Sequence, residues 1–142
     1  MRKIVINKCW GGFGLSHEAI LEYAKLKGIT LYLEKKDSCI RLWKYWTVPE
    51  NERLYTLSTE EWGKMSTDER IAYNKKSDEQ VFYDRHITRD DEALVKVVEA
   101  LGELSFGKNA ELKIVEIPAD VEWFIDDYDG MEHVAEKHRT WD

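Results

Sequence analysis

Ile4-Val5-Ile6-Asn7-Lys8-Cys9-Trp10-Gly11-Gly12-Phe13-Gly14-Leu15-Ser16 is the stretch that decides how the chain begins to fold. An apolar run over residues 3–9 reads as a strand, and the glycines that follow break it. Ser16 stands where a helix N-cap belongs, with Glu18 in the first turn. Ala19, Ile20, Tyr23, Ala24 and Lys27 then recur at helical spacing, and Gly28 is placed to end the helix. A glycine-rich turn between a strand and a helix N-terminus lets backbone N–H groups point at an anion. A small phosphorylated ligand is therefore one expectation, although the spacing matches neither GxGxxG nor the P-loop pattern. A tight turn packed over Phe13 is the other.

Working outward, residues 29–33 alternate as a second strand and run into a charged turn at residues 34–37. Residues 40–46 alternate again, and Pro49 breaks that strand. Ser58-Thr59-Glu60-Glu61 and Ser66-Thr67-Asp68-Glu69 each have the form of a capping box, so two short helices follow. Residues 81–87 read as a strand. A helix capped by Thr88 or Asp90 then carries Ala93, Leu94, Val97, Val98, Leu101 and Leu104 as a buried stripe. Residues 112–117 and 121–125 read as strands, Asp129-Gly130 as a turn, and residues 131–139 as a final helix. This order predicts an α+β fold: one domain over residues 1–142, with a mixed β-sheet packed with helices. Residues 37–80 are an inserted β/helical elaboration.

A chain of 142 residues can bury roughly two-thirds of its unfolded surface, enough for one real core. Six tryptophans suit either a core or a binding surface. A net charge of −7 argues against a DNA or RNA polymer as partner, since such binders need a basic footprint. It leaves room for a small anion held by a few arginines and a helix N-terminus. No apolar stretch approaches the roughly 20 residues of a membrane span, and no signal peptide is recognisable, so a cytoplasmic location is expected. Cys9 and Cys39 fit neither a disulfide framework nor a metal spacing, and read as reduced, buried thiols.

Enzyme chemistry finds little purchase. His133, Glu136 and His138 lack the HExxH spacing, so no metal is expected. Ser16 lacks the GxSxG elbow and Cys9 an activating neighbour. The carboxylates of Asp120, Glu122, Asp126, Asp127 and Asp129 leave a small nucleotide hydrolase as an alternative. An inhibitor that grips another protein through Trp43, Tyr45 and Trp46 is a second alternative. On the expected last helix, Glu132 and Arg139 share a face two turns apart; Arg139 would fork onto a phosphate while Glu132 accepts from a ribose hydroxyl. Arg53, Arg85 and Arg89 are further cations suited to a groove, a candidate second nucleotide site.

The set formed by residues 4–9 and 11–16, Arg89-Asp90-Asp91, Leu94-Val95, Val97-Val98-Glu99, Leu101-Gly102, Ile114-Val115-Glu116-Ile117-Pro118, Tyr128-Asp129-Gly130, Glu132 and His138-Arg139-Thr140-Trp141 resembles a phage-encoded family. These are the Thoeris anti-defence "sponge" proteins of the first type, which sequester the cyclic ADP-ribose isomers made by bacterial TIR proteins. Residues 37–80 add nothing to the likeness. The resemblance implies a cytoplasmic protein of the infected host cell that binds glycocyclic ADP-ribose without turning it over and needs no cofactor. It also implies a homo-oligomer, dimeric or hexameric, with sites shared between protomers and with cyclic trinucleotides as further ligands. Within the matched motifs, the ligand-binding residues expected on physical grounds are Asn7, Gly11, Gly12, Phe13, Gly14, Leu15, Ser16, Asp127, Glu132 and Arg139. The turn would donate to the pyrophosphate, Phe13 pack on the base, Arg139 neutralise charge, and Asp127 and Glu132 accept from ribose.

Overall fold

The structure, a computed structural model, describes residues 1–36, 42–55 and 57–137. The expectations that fell on Cys39, Ile40, Arg41, His138, Arg139, Thr140 and Trp141 lie outside the described residues. In chain order the elements are β1 (Arg2–Asn7), α1 (His17–Lys27), β2 (Tyr32–Lys36), β3 (Leu42–Trp46), α2 (Thr59–Gly63), α3 (Thr67–Glu79), α4 (Glu92–Leu101), β4 (Leu112–Ile117), β5 (Trp123–Tyr128) and β6 (Met131–Glu136). Short 3-10 turns occupy Glu50–Glu52, Asp84–His86 and Gly102–Ser105. The fold is α+β. In place of one mixed sheet, the described strands form three antiparallel pairs, β1–β4, β2–β3 and β5–β6.

The chain divides into two compact units, one made of Met1–Gly28 and Asp84–Asp142, the other of Ile29–Tyr83. In the first, Ile4, Val5 and Ile6 are all buried. A continuous apolar run of this kind suits a strand covered on both faces. β4 pairs along one edge of β1. On the other edge the Val5 N–H donates to the Arg89 carbonyl at 2.8 Å and the Asn7 N–H to Glu132 Oε1 at 2.8 Å. A side chain and a loop thus cover an edge where a third strand would otherwise be needed. α1 buries Ala19, Ile20, Tyr23 and Ala24, and α4 buries Ala93, Leu94, Val95, Val97 and Val98, the two helices packing together beside β1.

The caps of α1 follow the sequence. Ser16 Oγ accepts the Ala19 N–H at 3.1 Å, and Gly28 closes the helix at φ +70°. At α4 the cap is Asp91 rather than Thr88 or Asp90, its carboxylate accepting from Ala93 and Leu94. That helix ends at Leu101, because Gly102 leaves the helical region, so Leu104 is exposed instead of completing the stripe.

Two elements differ from expectation in kind. Residues 131–139 are not a helix over their described part: Met131–Glu136 is β6, paired with β5 in the register Tyr128↔Met131 to Trp123↔Glu136. Asp129 at φ 52° and Gly130 at φ 92° make a two-residue turn of the kind that matches strand twist. The local hairpin signal outweighs the helical spacing of charges. The Glu132–Arg139 helical face falls with it. Residues 81–87 do not form a strand either. Val81 makes one bridge to Trp46, and the chain then turns at Asp84–His86.

The second unit is built on the β2–β3 hairpin, whose Trp46 is fully buried. Both α2 and α3 start where Ser58 and Ser66 predict, and Ser66 with Glu69 forms a complete capping box. The Tyr32–Lys36 strand begins three residues later than its alternation suggested. Among the described residues no helix is long and apolar enough to cross a membrane.

Candidate functional site: the glycine turn and its aromatic rim

β1 delivers Asn7 to the base of the glycine turn, where the side chain is fully buried. Its Nδ2 donates to the carbonyls of Cys9 and Gly130, both at 2.7 Å. Its Oδ1 accepts the Glu111 N–H at 2.9 Å and the Cys9 thiol at 3.3 Å. One amide therefore joins the end of β1, the entry to β4 and the tip of the β5–β6 hairpin. Burying so polar a group is tolerable because every atom is satisfied.

The pair Arg89–Glu132 forms the second support. Arg89 Nη2 donates to Glu132 Oε2 at 2.9 Å, Nη1 donates to Oε1, and the Glu132 side chain is only 4% exposed. The Arg89 guanidinium also lies over the Phe13 ring, 3.6 Å from its centroid. Asn7 and Glu132 are thus committed to the frame of the turn, and one face of Phe13 is covered by Arg89.

Close packing explains Gly11 and Gly107. A Cβ on Gly11 would lie 1.9 Å from the Asn109 carbonyl oxygen, so no side chain fits there. The Gly107 N–H donates to the Gly14 carbonyl at 2.9 Å, and a Cβ on Gly107 would lie 2.7 Å from the Gly14 carbonyl carbon, whereas one on Gly14 would meet nothing closer than 3.9 Å. Beyond it, the Leu15 N–H donates to Asp84 Oδ2 at 2.9 Å and the Ser16 N–H to the Ser105 carbonyl at 3.0 Å. Gly12 differs: its φ is +88° and a Cβ there would meet nothing within 4 Å. Among the described residues the amides of Phe13 and Gly14 donate to no acceptor, whereas the Gly12 N–H turns back over Trp10-Gly11 toward Cys9 and its nitrogen is packed against Gly130.

Flanking those amides is an aromatic rim of Trp10, which sequence reasoning did not assign to the site, and Tyr128, known from sequence only as part of the Tyr128-Asp129-Gly130 turn expected to close the pocket. Trp10 is 57% exposed and Tyr128 is 74% exposed, and their rings meet edge to face at 5.8 Å. Each stands immediately before a glycine turn, Trp10 before Gly11 and Tyr128 before Asp129-Gly130. That placement was the available signal. Two large rings held in water at adjoining loop tips form a stacking surface, since each has a π-face to offer a flat ligand.

The remaining expected residues are distributed as follows. Asp127 is exposed beside the rim, its Oδ1 accepting the Gly130 N–H at 2.8 Å. Asp126 pairs with His133 at 3.1 Å on the exposed side of the hairpin. Arg139 lies outside the described residues. Arg85 sits in the Asp84–His86 turn of the first unit. Arg53 belongs to the second unit, where it pairs with Glu34 at 3.3 Å. Cys9 is half-buried and bonded to the Asn109 carbonyl at 2.9 Å. Among the described residues no three His, Cys, Asp or Glu side chains gather as metal ligands. No protein-family model, curated protein or solved structure matches this chain.

Proposed function

We propose that this chain is a phage anti-defence protein that binds and sequesters a cyclic ADP-ribose isomer, of the glycocyclic type, and holds it chemically unchanged. The observation that carries the reading is the pair of successive amides at Phe13 and Gly14, without acceptors among the described residues, beside the exposed rings of Trp10 and Tyr128. Successive backbone N–H groups in a glycine turn bind phosphate oxygens with no charged side chain required. The adenine stacks on the Trp10–Tyr128 rim, and Asp127 accepts from ribose hydroxyls. The Asn7 and Arg89–Glu132 contacts keep the turn preorganised, which favours slow release. The family likeness carried by the sequence extends the proposal to a homo-oligomer in the host cytoplasm, with cyclic trinucleotides as further ligands.

Mixing the purified protein in excess with glycocyclic ADP-ribose tests this directly. Free signal falls, and heating the protein releases the same compound intact. No depletion removes the binding; recovery of a degraded product removes the sequestration. Gly12→Val sharpens the test, because a β-branched residue at φ +88° reorients the turn at about 1–3 kcal/mol of strain without a clash. Its affinity for the signal falls at least about tenfold while its circular dichroism is unchanged.

A further inference from the structure

The second unit carries a cleft that the glycine turn does not explain. It has a volume of about 400 Å³ and lies between β3, the segment around Tyr55, and helices α2 and α3. That is within the range of roughly 300–1,000 Å³ typical of small-molecule sites. Its walls include Tyr55, Trp62 and Tyr73, with Lys44, Asn74 and Ser77 as polar members.

The rings are fixed without being buried. Trp62 and Tyr73 meet edge to face at 6.4 Å and 74°, forming a corner. Tyr73 is anchored by its hydroxyl, which donates to the Tyr55 carbonyl. Trp62 is anchored by Arg70, whose guanidinium lies over the indole at 5.5 Å and whose Nε donates to the Trp62 carbonyl at 3.0 Å. α3 itself buries none of its thirteen residues, whereas a helix on a filled core shows a broad buried stripe. The side of α3 that carries Tyr73, Asn74 and Ser77 instead lines the cleft.

We propose that this cleft binds a planar aromatic ring bearing one acidic group, independently of the glycine turn. The ring lies in the Trp62–Tyr73 corner, where aromatic pairs favour edge or offset contact. The Asn74 amide and the Ser77 hydroxyl hydrogen-bond the ring's polar edge, and Lys44, whose ammonium is held over the Trp46 ring at 4.3 Å, gives the cleft wall the positive charge that favours the acid. A nucleoside monophosphate and an aromatic carboxylate share this chemistry.

Titrating the full chain with adenosine 5′-monophosphate and, separately, indole-3-acetate, while following the Trp62 indole N–H by NMR, distinguishes the two sources. The expected result is a saturable shift with at least one probe, weakened at least about tenfold in Asn74→Glu. That substitution sits on the exposed helix surface and places a negative charge at the cleft. Ser77→Tyr, which fills the space, gives the same loss with circular dichroism as the check on folding. Gly12→Val binds the probe normally, which separates this site from the one proposed above. Absence of any Trp62 shift at millimolar probe, or undiminished affinity in both cleft variants, overturns the proposal.

Discussion

At the scale of single residues, Glu132 is the side chain on which the first unit most depends. Its carboxylate answers Arg89 twice and the Asn7 backbone once, all at a buried position. Removing one partner of a buried pair strands the other charge. Glu132→Ala is therefore expected to cost about 3–5 kcal/mol in urea unfolding, and Glu132→Gln with Arg89→Met to recover part of it, because no uncompensated charge is left. Asp91 gives a pH-dependent counterpart. Burial on its own would raise its carboxyl pKa, but hydrogen bonds from Tyr23, Lys27 and the Ala93 and Leu94 amides outweigh it and hold the group below its ordinary range. For Tyr23, burial and then the bond to Asp91 push the phenol above its usual range. Since Asp91 titrates lower when folded than the roughly 3.9 of an unfolded chain, its stabilisation is complete above that value and is lost as pH falls through the folded one. Asn still caps a helix, so Asp91→Asn isolates the charge. Its stability should vary less than the parent's between about pH 5 and pH 2, measured by denaturant midpoints across that window.

At the scale of elements, the β5–β6 hairpin shows how local and tertiary demands meet. Asp129-Gly130 supplies the positive φ values that the turn requires, and the turn is then pressed against the glycine segment. A Cβ on Gly130 would lie 2.5 Å from the Trp10 carbonyl oxygen and 2.8 Å from the Gly12 nitrogen. Gly28 has a similar φ of +70° but open space around it. Gly28→Ala should thus cost about 1 kcal/mol of backbone strain alone, and Gly130→Ala distinctly more, about 3 kcal/mol, in paired thermal melts. The caps of α1 and α3 were legible in the sequence because Ser16, Gly28 and Ser66 act within one turn of their own position. The hairpin was misjudged because Glu132, His133 and Glu136 suit a helix surface and an alternating strand alike. The backbone of Asp129-Gly130 and the pairing with Trp123–Tyr128 broke the tie.

At the scale of the whole molecule, the two units differ in how much they bury. The first holds Ile4, Val5, Ile6, Leu94, Val97 and their neighbours, while the second centres on Trp46 and Val81 and gains nothing buried from α2 or α3. Local opening is cheapest where few apolar contacts are lost. Amide exchange should therefore be slowest in β1 and α4, approaching global unfolding, and much faster along α3; equal protection in α3 and α4 would contradict this account. By itself the sequence determined the α+β class, the β1–turn–α1 unit with its caps, and the position of the glycine turn, since these rest on periodicity and on glycine and serine acting locally. Only the tertiary structure decided which amides of that turn were left open, that Asn7 and Glu132 became its frame, and that Trp10 met Tyr128 across more than a hundred residues of chain. Those outcomes depend on which distant segments share one buried edge of β1, and hydrogen-bond saturation there is a property of the packed molecule that no window of sequence contains.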